Sequence, residues 1–167
     1  MATYEYVGPP EIKESIQNGT GFRVQSAGDL EKFLSSRDRD ELDQPFTFIV
    51  DMSGILRLAA RRSEHVACAG GGTVLAAGEI EFSRQADRWM AVSVSNQSTG
   101  YCPDVESWTA VESALDHAGI QHGSGYSHPI TFRRCPRPSC REWNSVKDSY
   151  FFCVFCDSPL SVTSREF

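Results

Sequence analysis

Four of the six cysteines fall into two closely spaced pairs near the C-terminus: Cys135 and Cys140 in CPRPSC, then Cys153 and Cys156 in CVFC, with twelve residues between the pairs. Zinc takes four soft ligands in a tetrahedron, and two cysteine turns joined by a hairpin deliver them from two sides. The spacing therefore predicts a structural zinc ribbon over residues 131–167. Four thiolates leave no open coordination position, so the metal is expected to hold the fold rather than act on a substrate, and its binding would add folding free energy to a segment with little core. Tyr150, Phe151 and Phe152 have strand propensity, and Asn144, Lys147 and Asp148 suit a chain reversal between the pairs. Arg133, Arg134, Arg137, Arg141 and Lys147 make this end locally basic. That pattern is read either as the solvated surface of a ribbon or as a nucleic-acid contact.

A second group of chemistry-bearing residues lies upstream. Glu79 follows the small apolar run AAG, where a carboxylate is either solvated or paired, and it shares a strand face with Glu81. His65 and Cys68 stand in HVACAGGG, and the loop SNQSTGYCPD carries Asn96, Ser98, Tyr101 and Cys102. One reading is structural: the glutamate face meets water, and Cys68 and Cys102 are buried thiols. The other gathers His65, Glu79, Asn96, Ser98 and Tyr101 around a small polar ligand, with Glu79 as acid, base or electrostatic stabiliser and His65 as positioner. A cysteine–histidine nucleophile pair is a third arrangement open to these residue types.

Residues 62–116 also resemble a module of plant IQ-motif-containing proteins and microbial relatives. The resemblance is carried by His65, Gly71, Ala76, Ala77, Gly78, Ser98, Gly100, Tyr101 and Pro103. It implies a shared sheet and loop. The set His65, Ser98-Thr99-Gly100-Tyr101 and Glu79-Ile80-Glu81 further resembles the elements of ADP-ribosyltransferases, although there the glutamate element comes last and here it precedes the Ser-Thr loop. That resemblance implies an enzyme acting on a nucleotide-like ligand. The competing expectation is a binding or adaptor protein that contacts a protein or nucleic-acid partner.

These residues need a scaffold. EIKESIQ is a short helical candidate, FRVQ a strand, and a helix is expected from about Asp29, followed by a charged connector SSRDRDELDQ. PFTFIVD and ILRLAA flank the turn residues of MSG and predict an antiparallel hairpin. HVACA, TVLAAGEIEF and RWMAVSVS predict further strands in meander order. Val105, Trp108, Val111, Leu115 and Ala118 recur at helical steps, and Gly119 stands at the C-cap position. The expectation is an α+β fold: an antiparallel sheet with one or two packed helices over residues 1–130, then the ribbon. With 22 acidic against 16 basic residues the chain has no global attraction for phosphate polymers or anionic lipid. No apolar run is long enough for a membrane span and the N-terminus lacks a signal-peptide pattern, so a cytoplasmic location is expected.

Overall fold

The computed structural model describes residues 1–16, 20–163 and 165. The chain forms two compact units, Met1–Pro129 and Ile130–Phe167. The architecture is α+β.

Among the described residues of the first unit, five α-helices accompany a six-stranded sheet. The helices are α1 (Pro10–Glu14), α2 (Ala27–Ser35), α3 (Arg39–Leu42), α4 (His65–Cys68) and α5 (Trp108–Ala118). The strands are β1 (Phe22–Val24), β2 (Phe46–Val50), β3 (Leu56–Ala59), β4 (Ala76–Gln85), β5 (Arg88–Val94) and β6 (Gln121–His122), in the spatial order β1-β3-β2-β4-β5-β6. The expected β2–β3 hairpin is present, with Val50 opposite Leu56. The sheet is mixed rather than antiparallel throughout, because β6 lies parallel to β5 with Met90 opposite Gln121. Two residues inside a Gly/Ser-rich connector carry no periodic signal for a strand, and β6 forms only because α5 returns the chain beside β5.

All five residues of β2 are buried, since helices or loops cover both sheet faces. On one face Phe46, Phe48 and Val50 meet Ile80 of β4 and the apolar sides of α2 and α5. On the other, Ile49 and Ala77 meet Val66 and Cys68 of α4, Val74, Tyr101 and Tyr4. The helix α2 begins before Asp29: the Ser26 hydroxyl caps the Asp29 amide at 3.1 Å, and the Asp29 carboxylate accepts from the Gln25 amide at 2.9 Å. The connector after it contains the separate turn α3, capped by Asp38. HVACA is a helix and not a strand. Its Val66 and Cys68 are drawn into the core against Ile49, and this packing outweighs the strand preference of a single valine. The helix α5 is preceded by a 3₁₀ turn (Val105–Ser107) and ends at Gly119 in the left-handed region, φ 71°.

The N-terminal arm lies along the second face. Tyr4 and Val74 exchange both backbone hydrogen bonds, Val7 N–H donates to Gly100 O at 2.7 Å, and the Tyr6 ring meets Tyr101 edge-on at 5.9 Å. In the second unit, β7 (Thr131–Arg134) pairs antiparallel with β8 (Trp143–Val146). The second strand of this hairpin is thus WNSV rather than the Tyr150–Phe152 run, of which only Phe152 forms an isolated bridge, to Pro159. Among the described residues no helix is long and apolar enough to cross a membrane.

Candidate metal centre and polar loop

The hairpin β7–β8 places Cys135 just past β7 and Cys140 in the turn that follows. Cys153 and Cys156 occupy a second turn, in which Asp157 N–H donates to Cys153 O at 2.8 Å. The four sulfurs lie within 4.8 Å of one another. Cys135 Sγ is 3.6 Å from Cys156 Sγ, and Cys140 Sγ is 3.7 Å from Cys153 Sγ. Sulfurs at the corners of a tetrahedral thiolate site with bonds of about 2.3 Å would be about 3.8 Å apart. The donor set therefore fits a metal ion, and every corner is a cysteine.

The surroundings favour thiolate at the second cysteine pair and oppose it at the first: Cys135 is raised, chiefly by burial, and at Cys140 a hydrogen bond from the Glu142 amide is outweighed by burial and the neighbouring cysteines, which push the thiol up to about 12. Cys156 is lowered to about 6, first by the Ser158 hydroxyl, 3.3 Å from its sulfur, and then by the Ser158 amide. Burial opposes ionisation of Cys153, but hydrogen bonds led by Asn144 outweigh it and lower its pKa. Asn144 Nδ2 is 3.4 Å from Cys153 Sγ, while its Oδ1 accepts from Val154 N–H at 2.9 Å. Reading Asn144 as a turn residue overlooked this role; it sits buried in β8 and orients a ligand.

The basic residues beside the cysteines serve the backbone. Arg133 Nε donates to Ser161 O at 2.9 Å, Arg134 Nε to Arg141 O at 3.2 Å, and Arg141 Nη1 to Cys135 O at 3.3 Å. The side chains of Arg137 and Lys147 are exposed and make no hydrogen bond or ion pair to another described residue. Around the second cysteine turn the surface is apolar: Val154 is 69% exposed, Phe155 63% and Tyr150 55%.

In the first unit the loop SNQSTGYCPD is largely interior. Asn96, Ser98 and Tyr101 are each at most 1% exposed. Their polar tips are turned toward the chain itself. Tyr101 O–H donates to Gly72 O at 2.7 Å, and Asn96 Nδ2 to Pro103 O at 2.9 Å. Burial pushes the Tyr101 hydroxyl well above its ordinary value. His65 Nε2 is 2.8 Å from Gly78 O, the carbonyl just before Glu79, and burial lowers the imidazole despite that bond. Glu79 lies half-buried on the face that α4 covers, opposite Thr47, and its carboxylate has no hydrogen bond or ion pair among the described residues. The Ser98 hydroxyl is likewise without a partner among them.

Cys68 and Cys102 are both buried. Burial pushes the Cys68 thiol up to about 12, which removes the thiolate that a nucleophile needs. The Cys102 sulfur is 3.6 Å from Thr99 O within its own turn.

Comparison with protein-family models, with curated proteins and with solved structures returned no match for this chain.

Proposed function

We propose that this chain is a zinc-ribbon-stabilised binding or adaptor protein. The observation that carries the reading is the closed set of four cysteine sulfurs, which has no position left for a substrate. Zinc is the ion named because four thiolates at tetrahedral spacing are its characteristic structural environment. The polar groups of the first unit support a non-catalytic role. The histidine, tyrosine and asparagine that would orient a ligand already hold backbone carbonyls. The partner surface in this reading is the ribbon, and its chemistry is that of a protein: Val154, Phe155 and Tyr150 are exposed together, whereas three of the five basic residues are engaged with main-chain oxygens.

The unpaired Glu79 carboxylate favours one rival, an enzyme resembling ADP-ribosyltransferases that acts on a nucleotide-like ligand through Glu79 and His65. One experiment separates the two. Purified protein is assayed for bound metal and for nicotinamide release from NAD. About one zinc per chain, with no NAD cleavage and no change in melting temperature on adding NAD, is expected. NAD cleavage that disappears in Glu79→Gln would replace the adaptor reading with the enzyme, and substoichiometric zinc with four reactive thiols would remove the ribbon.

A further inference from the structure

The first unit is strongly acidic: counted over residues 1–129 it has eighteen Asp and Glu against ten Lys and Arg. One of its cavities runs against that balance. It holds about 410 Å³ between the end of α2, the start of β1, the end of β3 and α4. Among the described residues its wall includes the guanidinium-bearing Arg37 and Arg62 and no carboxylate. Three other cavities lined by described residues each have at least one carboxylate on the wall.

We propose that this cavity binds a small organic anion, a carboxylate or phosphate monoester on a flat apolar body. Phe22 and Phe33 stand together at one side, ring centroids 5.6 Å apart, and Phe22 remains 40% exposed, so an apolar body has a ring surface to cover. Leu58, Ala67 and the un-ionised Cys68 thiol add an uncharged floor. Arg37 is held in place, its guanidinium 4.7 Å from the centre of the Phe33 ring and its Nη1 3.3 Å from Glu41, which absorbs part of its charge. The Arg62 side chain is exposed and makes no hydrogen bond or ion pair among the described residues, and it also borders a second cavity whose wall carries Asp38, Asp40 and Glu41. The planar fork of donors on Arg62 is suited to the paired oxygens of a carboxylate or phosphate. Thr20 Oγ1 already accepts from Arg57 Nη1 at 2.7 Å, which leaves its own proton to donate. The volume lies within the range of small-molecule sites, about 300–1,000 Å³.

The site lies wholly within Met1–Pro129 and involves neither the cysteine cluster nor Glu79, so it goes beyond the adaptor reading and stands or falls separately. The test is an NMR titration of the full chain with phenyl phosphate, benzoate, benzyl alcohol and inorganic phosphate. Saturable shifts of the Thr20, Gly21 and Ser63 amides are expected with the two aromatic anions, and the tighter of them identifies a phosphate or a carboxylate as the natural group. Benzyl alcohol and inorganic phosphate should each bind about tenfold more weakly, since each lacks one half of the recognition. Arg62→Gln, a surface change that leaves the core untouched, should weaken both aromatic anions about tenfold without altering benzyl alcohol binding. The site is refuted if either single-feature probe binds as tightly as the aromatic anions, if Arg62→Gln leaves their affinity unchanged, or if those amides do not shift.

Discussion

His122 stands between the Gly123 carbonyl, 2.6 Å from Nδ1, and the Asp116 carboxylate, 2.7 Å from Nε2. Burial of the ring disfavours its proton, but these two partners outweigh burial and raise the pKa above the ordinary imidazole value. The folded chain then holds a proton that the unfolded chain releases. The resulting stability is complete below about pH 6.5 and lost as pH rises through the raised value. His65 works in the opposite sense: burial lowers its pKa, so its contribution is present above about pH 6.5 and fades in acid, where the unfolded chain takes up a proton that the folded one refuses. Asp116→Asn should therefore flatten the fall of unfolding free energy above about pH 6.5. Denaturant titrations across that range check it; an unaltered alkaline limb would show that Asp116 does not hold the proton.

At the scale of elements, the decisive contact is the close approach of Ser95, the residue after β5, to Gly78 of β4. A Cβ built on Gly78 would overlap the Ser95 carbonyl oxygen and press on the Phe48 ring. The contact lies on the Phe48 face; the loop that follows reaches the other face, where Tyr101 packs with Ala77 and Val66. Gly78→Ala should cost about 3 kcal/mol, the upper end for overpacking because the obstacle is backbone, and should appear as a lower denaturation midpoint; a cost below about 1 kcal/mol would show that the contact relaxes freely. The small run AAG was visible in the sequence, but not what presses on it. Local patterning made other elements legible: the β2–β3 hairpin from its turn, α5 from its apolar spacing and Gly119, and the clustering of four cysteines from their intervals. What depended on distant partners was not legible. HVAC reads locally as strand and becomes α4 through Ile49, β6 exists because β5 offers an edge, and Asn144 acquires its role from Cys153 and Val154. The polar loop shows the same limit: Asn96, Ser98 and Tyr101 can be picked out by type, but the carbonyls that occupy two of them come from the fold.

Over the whole molecule, the two units differ in what holds them. Met1–Pro129 has two apolar clusters on either side of its sheet, whereas the buried cluster of Ile130–Phe167 consists of Cys135, Cys153 and Leu160, with Val146 and Phe151 beside it. A core this small would rely on the metal proposed for its four cysteines. Chelation should collapse the amide spectrum of the second unit to that of a disordered chain and leave the first unit's resonances in place; persistence of the second unit's dispersion without metal would show that its hairpin suffices. The first unit carries a different dependence, one of time. Tyr4 and Val7 find their backbone partners at Val74 and Gly100, so this segment is fully closed only after the loop some ninety residues later has been made. Until then the Tyr101 side of the sheet has only α4 and Val74 for cover, and the nascent chain must hold the Tyr4–Val7 segment in reserve.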